Sequence, residues 1–479
     1  MRFKGFIGPT YRHQSKNVDC QRAINLIPQV NESGSSKEAE VISFISAPGL
    51  ATLLTIGEDP VRAAYTSKSG AGFLVAKNKL YAVANDFTYT EIGTLSTETG
   101  RIGFADNGIH MVLVDGLKGY VWTFESEEFA EITAEGFTDR NPPTQVSYID
   151  GYFIFEDAGT DNFFISGLDD VTFDPLDVSD ADGSPDKIIA HISKERELWL
   201  LGEFTTEVWF NSGDADFPFS RVSGAFIETG CGAKWSIAKI GSAIFWLGRD
   251  EKGYSGIFMA EGYQPRKIST HSVDQIIQRY ETLSDAEAFT YHQDGHSYYV
   301  LTFPTADASW CYDLTTGLWH ERLSFKNGQF HRHRASCYAN MYGKHVVGDF
   351  ENGRLHELSA LVYSDAGDVL ARERVAPHIS GGSRLIFYSR FLLDMETGVG
   401  LDGLGQGTDP QAMLQYSDDS GHSWGNELWS PIGKIGERSH TVEWRRLGKS
   451  KDRVFRIRIT DPIPVTLIGA DLDFMTGGL

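Results

Sequence analysis

Between about residue 61 and residue 358 the chain repeats one hydrophobic phrase. A short apolar run follows a Gly or Asn turn, a second run carries an aromatic, and a polar break closes the phrase. The plainest copy is Gly151-Tyr-Phe-Ile-Phe155, a turn at Gly159-Thr-Asp161, then Phe163-Phe-Ile165. Earlier copies pair Gly72–Val75 with Leu80–Val83, and Ile109–Val114 with Tyr120–Phe124. Later ones pair Leu198–Leu201 with Val208–Phe210, and Ala243–Leu247 with Ile257–Met259. The last two pair Ser297–Leu301 with Trp310–Tyr312, and His345–Val347 with Arg354–Leu358. The pitch is about 40 residues, the spacing of four short strands per propeller blade. Each phrase is too short to bury both faces of its sheet alone, so it must stack on its neighbours, and ring closure protects the edges. The runs are rich in Val, Ile, Phe, Tyr and Trp, which suit pleated, half-buried surfaces. The expectation is an all-β protein with a β-propeller of six or seven blades over residues 61–360.

The flanks do not share the period. Residues 1–60 hold Asn25-Leu-Ile-Pro28, a Ser/Gly break at Glu32-Ser-Gly-Ser-Ser-Lys37, a strand-like run Val41–Ile45 and the turn Ala47-Pro-Gly-Leu50. They read as an arm with one or two strands, packing with the carboxy-terminal part. From about 361, Leu385–Phe387, Phe391–Leu393, Val442–Trp444, Val454–Ile459 and Val465–Ile468 read as strands of a second, smaller β domain over 361–479. Gly398–Gly407 reads as a flexible loop. Inside the repeat, Ser272 to Phe289 breaks the β pattern: Val273, Ile276, Ile277 and Tyr280 fall at helical spacing, with Ser272 as candidate N-cap.

Composition adds class. In 479 residues there are 50 glycines and 12% aromatics, which suit an all-β protein with many tight turns. No run approaches the roughly 18 apolar residues of a membrane span, and residues 1–20 are too polar for a secretory signal. Cys20, Cys231, Cys311 and Cys337 are widely spaced and read as buried free thiols. The net charge of −22 is concentrated in the repeat. Residues 1–60 carry 6 basic and 6 acidic side chains and residues 361–479 carry 13 and 16, which leaves 24 against 43 between them. Such a domain repels a phosphate backbone. That charge serves solubility, or a surface past which DNA slides without sticking.

Candidate chemistry is sparse. Ser417-Asp-Asp-Ser-Gly-His-Ser-Trp424 matches the Asp-box of sialidases and related β proteins. Its physics is that of a structural hairpin: Asp419 accepts turn amides with Ser417 beside it, Gly421 takes a positive φ, and Trp424 packs beneath. A glycosidase needs two carboxylates flanking one bond, and none of the 65 acids is singled out. No nucleophile elbow, zinc-protease helix or P-loop occurs. His331-Arg-His-Arg334 offers two imidazoles on one strand face, without the further ligands a metal needs. No catalytic residue, metal or cofactor is expected. Between Lys434 and Arg458, nine basic residues face three acids, and Arg456 and Arg458 share one strand face opposite Phe455, Ile457 and Ile459.

Several phrases resemble one family. Val442-Glu-Trp-Arg-Arg-Leu-Gly448, Arg453-Val-Phe-Arg-Ile-Arg-Ile459 and Pro464-Val-Thr-Leu467 are similar to the end of the packaged-DNA stabilisation proteins of short-tailed phages, the tail-hub (nozzle) component of the Salmonella-phage type. So are Tyr148–Phe153, Gly159–Ser166 with Leu168-Asp-Asp170, Ser272–Tyr280, and the early Asn-Leu-Ile-Pro and Ala-Pro-Gly-Leu. The resemblance implies a non-enzymatic virion protein of the phage tail, made in the host cytoplasm. It implies a homohexamer below the portal and adaptor ring that continues the DNA channel, helps retain the genome and anchors tail needle, fibres or spikes. DNA would pass through the lumen without sequence-specific binding, and no membrane is involved. Assembly contacts are expected at Arg445, Arg446, Arg453, Arg456 and Arg458, on the 272–280 helix (Val273, Ile276, Ile277, Tyr280) and on the amino-terminal arm. The alternative from another class is a sialidase-like propeller that binds or cleaves surface glycans.

Overall fold

The computed structural model describes residues 1–30, 41–181, 183 and 186–477; the Ser/Gly break at 32–37 lies outside the described residues. Among these, the strands form seven antiparallel blades in chain order. Their innermost strands are Val61–Thr66, Gly103–Asp106, Val146–Ile149, Ile188–Lys194, Ala238–Ile240, Glu287–Gln293 and Ala335–Met341. Each repeated phrase supplies the two middle strands of a blade. Those strands are buried on both faces, so their apolar runs do not alternate cleanly. In blade 3, Phe153 and Phe155 enter the core shared with blade 2, whereas Ile154 enters the core shared with blade 4. Six such cores join neighbouring blades from 1 to 7, and a seventh, with Leu74 and Val61 against Cys337 and Val346, joins blade 7 to blade 1. The ring therefore closes at seven.

Closure borrows a strand from before the repeat. Blade 7 contributes Ala335–Met341, Lys344–Asp349 and Arg354–Ser359, and its outermost strand is Gly49–Thr55, paired Glu357 to Ala51 and Leu358 to Leu50. The first sixty residues are thus divided between two bodies. Cys20–Ile24 and Leu26–Val30 join opposite sheets of a carboxy-terminal sandwich, while Gly49–Thr55 belongs to the propeller.

One sandwich sheet runs Leu26–Val30, Val41–Ser46, Thr466–Thr476, Ile386–Met395, Val442–Arg445. The other continues blade 6: Leu318–Glu321, Cys20–Ile24, Arg372–Val375, Asp452–Ile459, Gln411–Ser417, Leu428–Pro431. Between them lies one core that includes Phe44, Phe391, Trp444, Phe455, Ile457 and Leu467, sealed at one end by Phe3 and Phe6. The strands expected at 385–387 and 391–393 are one strand. The 398–407 loop is irregular and folded back on itself, with the Leu401 amide donating to the Gly407 carbonyl at 2.7 Å.

Asn25 sits at the joint of the two bodies. It is buried at φ +52°, a conformation Asn tolerates better than most residues. Its Nδ2 donates to the carbonyls of Leu323 (2.7 Å) and Ala371 (2.9 Å), and its Oδ1 accepts from the Leu323 amide at 3.1 Å. Ala47 donates its amide to the Asn25 carbonyl, and Arg322 donates to the Pro48 carbonyl at 2.9 Å. Both early motifs, Asn-Leu-Ile-Pro and Ala-Pro-Gly-Leu, thus meet where propeller and sandwich join.

The helix is shorter than its pattern suggested: it spans His271–Ile277, and the chain enters the innermost strand of blade 6 at Glu287. Its cap is Thr270, whose side chain accepts from the Val273 amide at 3.3 Å. Ser272, the expected cap, instead holds the arm. Its Oγ accepts from the Arg12 amide (2.6 Å) and donates to the Arg12 carbonyl (2.8 Å).

Candidate functional site

Three of the elements singled out above, far apart in sequence, converge. The arm around Arg12–Arg22, the helix, and the sandwich sheet with its Asp-box hairpin enclose a groove. It consists of two adjoining hollows of about 220 Å³ and 510 Å³ that share Arg12, Arg22 and Ile276 in their walls.

The helix meets the groove by one edge. Val273 and Ile277 are buried in the core between blades 5 and 6, so they hold the helix down and cannot reach a partner. Ile276 and Tyr280 are half-buried and face the groove, where the Tyr280 hydroxyl accepts from Trp310 Nε1 at 3.1 Å.

The Asp-box builds the opposite wall. Ser417 Oγ donates to Asp419 Oδ1 (2.6 Å) and accepts from the Gly421 amide (2.8 Å). Asp419 also accepts from the amides of His422 (3.1 Å) and Ser423 (2.8 Å). Donors from Ser417 and Ser423 hold its carboxyl well below the usual range. Gly421, at φ +80°, lets the turn close against Cys20. Trp424 then packs on Cys20, Val375 and Val454, and its ring lies 4.1 Å beneath the Arg456 guanidinium.

The basic stretch divides between two strands, Val442–Arg445 and Asp452–Ile459, which lie in opposite sheets of the sandwich. Arg453 is buried: it holds Asp418 at 2.6 and 2.8 Å and lies 4.0 Å from the Tyr416 ring and 4.7 Å from that of Tyr388. An intermolecular role for Arg453 is thereby removed. Arg458 donates twice to Glu373, at 2.9 and 2.6 Å. Arg456 donates to Gln415 Oε1 at 3.1 Å and lines the groove. Arg445 is exposed beside Glu443, two residues back on its strand, and Arg446 is exposed at a positive-φ turn.

Within the groove the charges do not balance. Arg22 forks onto Glu321, with Nε at 2.9 Å, and Glu373 belongs to Arg458 and Arg456. Asp19 accepts from the amide and side chain of Gln21 at 3.0 and 2.9 Å. Among the described residues the Lys16 ammonium reaches only the Gly421 carbonyl, at 3.3 Å. Arg12 and Arg279 have no side-chain partner among the described residues. Burial pushes the Arg12 guanidinium below its ordinary value, only partly countered by Glu321. The arrangement is a preformed anion-accepting groove with aromatic and aliphatic walls.

Sequence reasoning missed two arginines beneath it. Arg374 is fully buried and donates to the carbonyls of Phe6 (2.7 Å), Gly5 (2.9 Å), Pro9 and Arg22 (3.3 Å each) and to Gln21 Oε1 (2.6 Å). Arg372 likewise donates to the carbonyls of Tyr363 (3.2 Å), Ile463 (3.3 Å) and Asp461. The signal was present in Arg372-Glu-Arg-Val375, where the two arginines share one strand face, but nothing in sequence distinguishes an inward guanidinium from a solvated one.

The propeller axis holds a cavity of about 490 Å³. Arg101 meets Glu287 across it at 2.9 Å, Tyr65 donates to Asp106 at 2.6 Å, and Lys68 lies 3.9 Å over the Tyr148 ring. It is far too small for a duplex whose major groove alone is about 12 Å wide. His331 is half-buried against Asp307 at 2.8 Å, whereas His333 is buried, so the two imidazoles expected on one face do not converge. Among the described residues no group of three or more His, Cys, Asp or Glu could hold a metal ion. No helix of the described residues is long and apolar enough to cross a membrane.

Solved structures similar to this chain include the computationally designed Ika8 protein (12% identity, 65% of this chain and 99% of that chain, TM-score 0.37). The WD40 β-propeller domain of Doa1 matches at 11% identity over 65% of this chain and 97% of its own, TM-score 0.41. The extracellular domain of a putative one component system, BT4673 from B. thetaiotaomicron, matches at 8% identity over 83% and 48%, TM-score 0.44. No curated protein matches the chain. Two family models match in tandem: the β-propeller of bacteriophage P22 Gp10 over residues 10–363, and the β-sandwich of bacteriophage P22 Gp10 over residues 371–474. With seven blades, a sandwich and matches over nearly its whole length, the chain belongs to the bacteriophage P22 Gp10 family of packaged-DNA stabilisation proteins, structural components of the phage particle.

Proposed function

We propose that the chain is a tail hub of a short-tailed phage. Six copies form a ring below the portal and adaptor, continue the DNA channel, retain the packaged genome and anchor the tail needle, fibres or spikes. The observation that carries this reading is the tandem family match on a chain whose two bodies share one continuous sheet. Such a joint favours a stiff block suited to bearing load.

The narrow propeller axis favours a conduit enclosed between copies. Retention is steric in this reading, since a chain of net charge −22 gains little from counterion release on DNA. Arg445, Arg446, Arg456, Arg458 and the groove edge formed by Ile276 and Tyr280 are the proposed contacts with other subunits. Light scattering after size exclusion and negative-stain imaging of tails from the phage that encodes the chain test the reading. A sixfold ring at the base of the connector is the expected result. Tails without such a ring, or purified chain that cleaves a panel of glycans, overturn it.

A further inference from the structure

The groove lacks counter-charge within its own chain, and the opposite rim of the propeller has charge in excess. From residue 124 to residue 181, across blades 2 and 3, the only basic side chain is Arg140. Its Nη2 donates to the Pro175 carbonyl at 2.6 Å and so braces the loop between the third and fourth strands of blade 3. That loop, residues 166–177, is packed from within. Val171 and Phe173 turn into the core between blades 2 and 3, and the Gly167 amide donates to the Thr172 carbonyl at 2.8 Å.

Several of its other side chains face solvent. Leu176 is 83% exposed and Leu168 61%, with Asp170 and Asp174 exposed between them. Neither Asp170 nor Asp174 has an ion-pair partner among the described residues. Asp177 is pushed above its ordinary value by burial and then by Asp174, as expected where negative charge is uncompensated. A rigid loop carrying leucine and paired carboxylates therefore lies three blades away from a rigid groove of aliphatic, aromatic and unpaired arginine side chains.

We propose that in the ring this loop of one copy seats in the groove of the next, with Asp170 and Asp174 on Arg12 and Arg279 and Leu176 against Ile276 and Trp424. The inference rests on the ring reading above and specifies its contact. Two different surfaces meeting make a heterologous interface, which generates a ring when its rotation closes. Both surfaces are ordered beforehand, which lowers the cost of association. DNA is the other polyanion these arginines could meet, and the acidic excess of the repeat disfavours its approach.

Cysteine cross-linking tests the contact, because all four native cysteines are buried. Tails from the phage carrying Arg279→Cys together with Asp174→Cys are treated with a bifunctional maleimide about 10 Å long, because positions joined through an arginine–carboxylate pair lie too far apart for a direct disulfide, and are run on a denaturing gel. The expected result is a ladder of multimers ending at the closed ring, with none from either single variant. A charge reversal, Arg279→Glu, should lower ring yield at least ~10-fold, and adding Asp174→Arg should restore it. A ring visible in images but giving no ladder overturns the contact and leaves the hub standing, as do dimers from Asp174→Cys alone. Loss of DNA binding in Arg279→Glu with ring yield unchanged reassigns the groove to DNA. Tails without any ring overturn the hub reading, and this contact with it.

Discussion

The propeller and the sandwich solve the same problem by different means. In the propeller each apolar strand is shared between two small cores, and the unit of stability is the interface between neighbouring blades. In the sandwich one large core is assembled from both ends of the chain, and buried guanidiniums hold the segments that have no strand partner. The first arrangement leaves a period in the sequence; the second leaves isolated arginines.

The largest loss is expected where one body depends on the other's segment. Gly49 starts the strand that closes blade 7, and a Cβ there would fall on the carbonyl oxygens of Val362 and Ser364. Both are backbone atoms, so the closing strand must move. Gly49→Ala is expected to cost at least about 3 kcal/mol and to make urea unfolding non-coincident between tryptophan fluorescence and far-UV circular dichroism. Unchanged, coincident transitions would mean that closure does not depend on this approach.

The sandwich should break at its arginines. Arg374→Met leaves four carbonyls and Gln21 Oε1 without their donor, and burial already pushes this guanidinium down to about 9. A loss of at least about 3 kcal/mol is expected, together with faster proteolysis of residues 1–22. Arg453→Ala empties a buried site and leaves the Leu447 carbonyl without its donor, and should fall in the same range, about 3 kcal/mol. Fragments released from the amino terminus only in Arg374→Met would separate the two roles.

These differences account for what the sequence disclosed. Seven phrases marked the middle strands of seven blades, because residues such as Phe153-Ile-Phe155 must be apolar on both faces. The closing strand Gly49–Thr55 carried no such mark, since its period partner lies three hundred residues away. The groove was legible only in pieces: the helix, the basic strand and the arm were each singled out, but their convergence depends on tertiary placement. Ser272 illustrates the limit. Serine is a good cap, yet a backbone pair on Arg12 takes its hydroxyl and leaves the cap to Thr270.

Within the propeller, acid acts through a buried carboxyl and a buried imidazole. Glu156 in blade 3 is fully buried. Burial alone would raise its pKa, but His191 at 3.4 Å and Lys234 at 3.0 Å hold it down to about 2. A carboxyl whose folded pKa is depressed contributes stability that is present above its unfolded value near 4.5 and is lost as pH falls toward 2. Glu156→Gln should cost roughly 3 kcal/mol at pH 7, and the gap to wild type should close over that window in pH-dependent unfolding. His320 in blade 6 senses a higher window. Burial, then Arg322, pushes it down to about 3, so stability falls as pH drops below about 6.5. His320→Leu should flatten the profile from about 6.5 down to about 3, a span that meets the Glu156 window only below 4.5.

The smallest effect is expected at a residue that sequence alone would group with the most important ones. Arg445 lies on the same basic stretch as Arg453, but its side chain is 67% exposed and its only ion pair among the described residues, to Glu443 at 2.7 Å, lies along its own strand. Solvent screens such a pair, and holding two long side chains in register costs entropy. Arg445→Ala should therefore shift the unfolding free energy by less than about 0.5 kcal/mol, against about 3 kcal/mol for Arg453→Ala eight positions on. If Arg445 serves a neighbouring subunit, the deficit should appear in ring yield while the monomer's urea midpoint stays fixed. An equal loss of midpoint in both variants would mean that the charge of the basic stretch, and not the burial of one guanidinium, stabilises the sandwich.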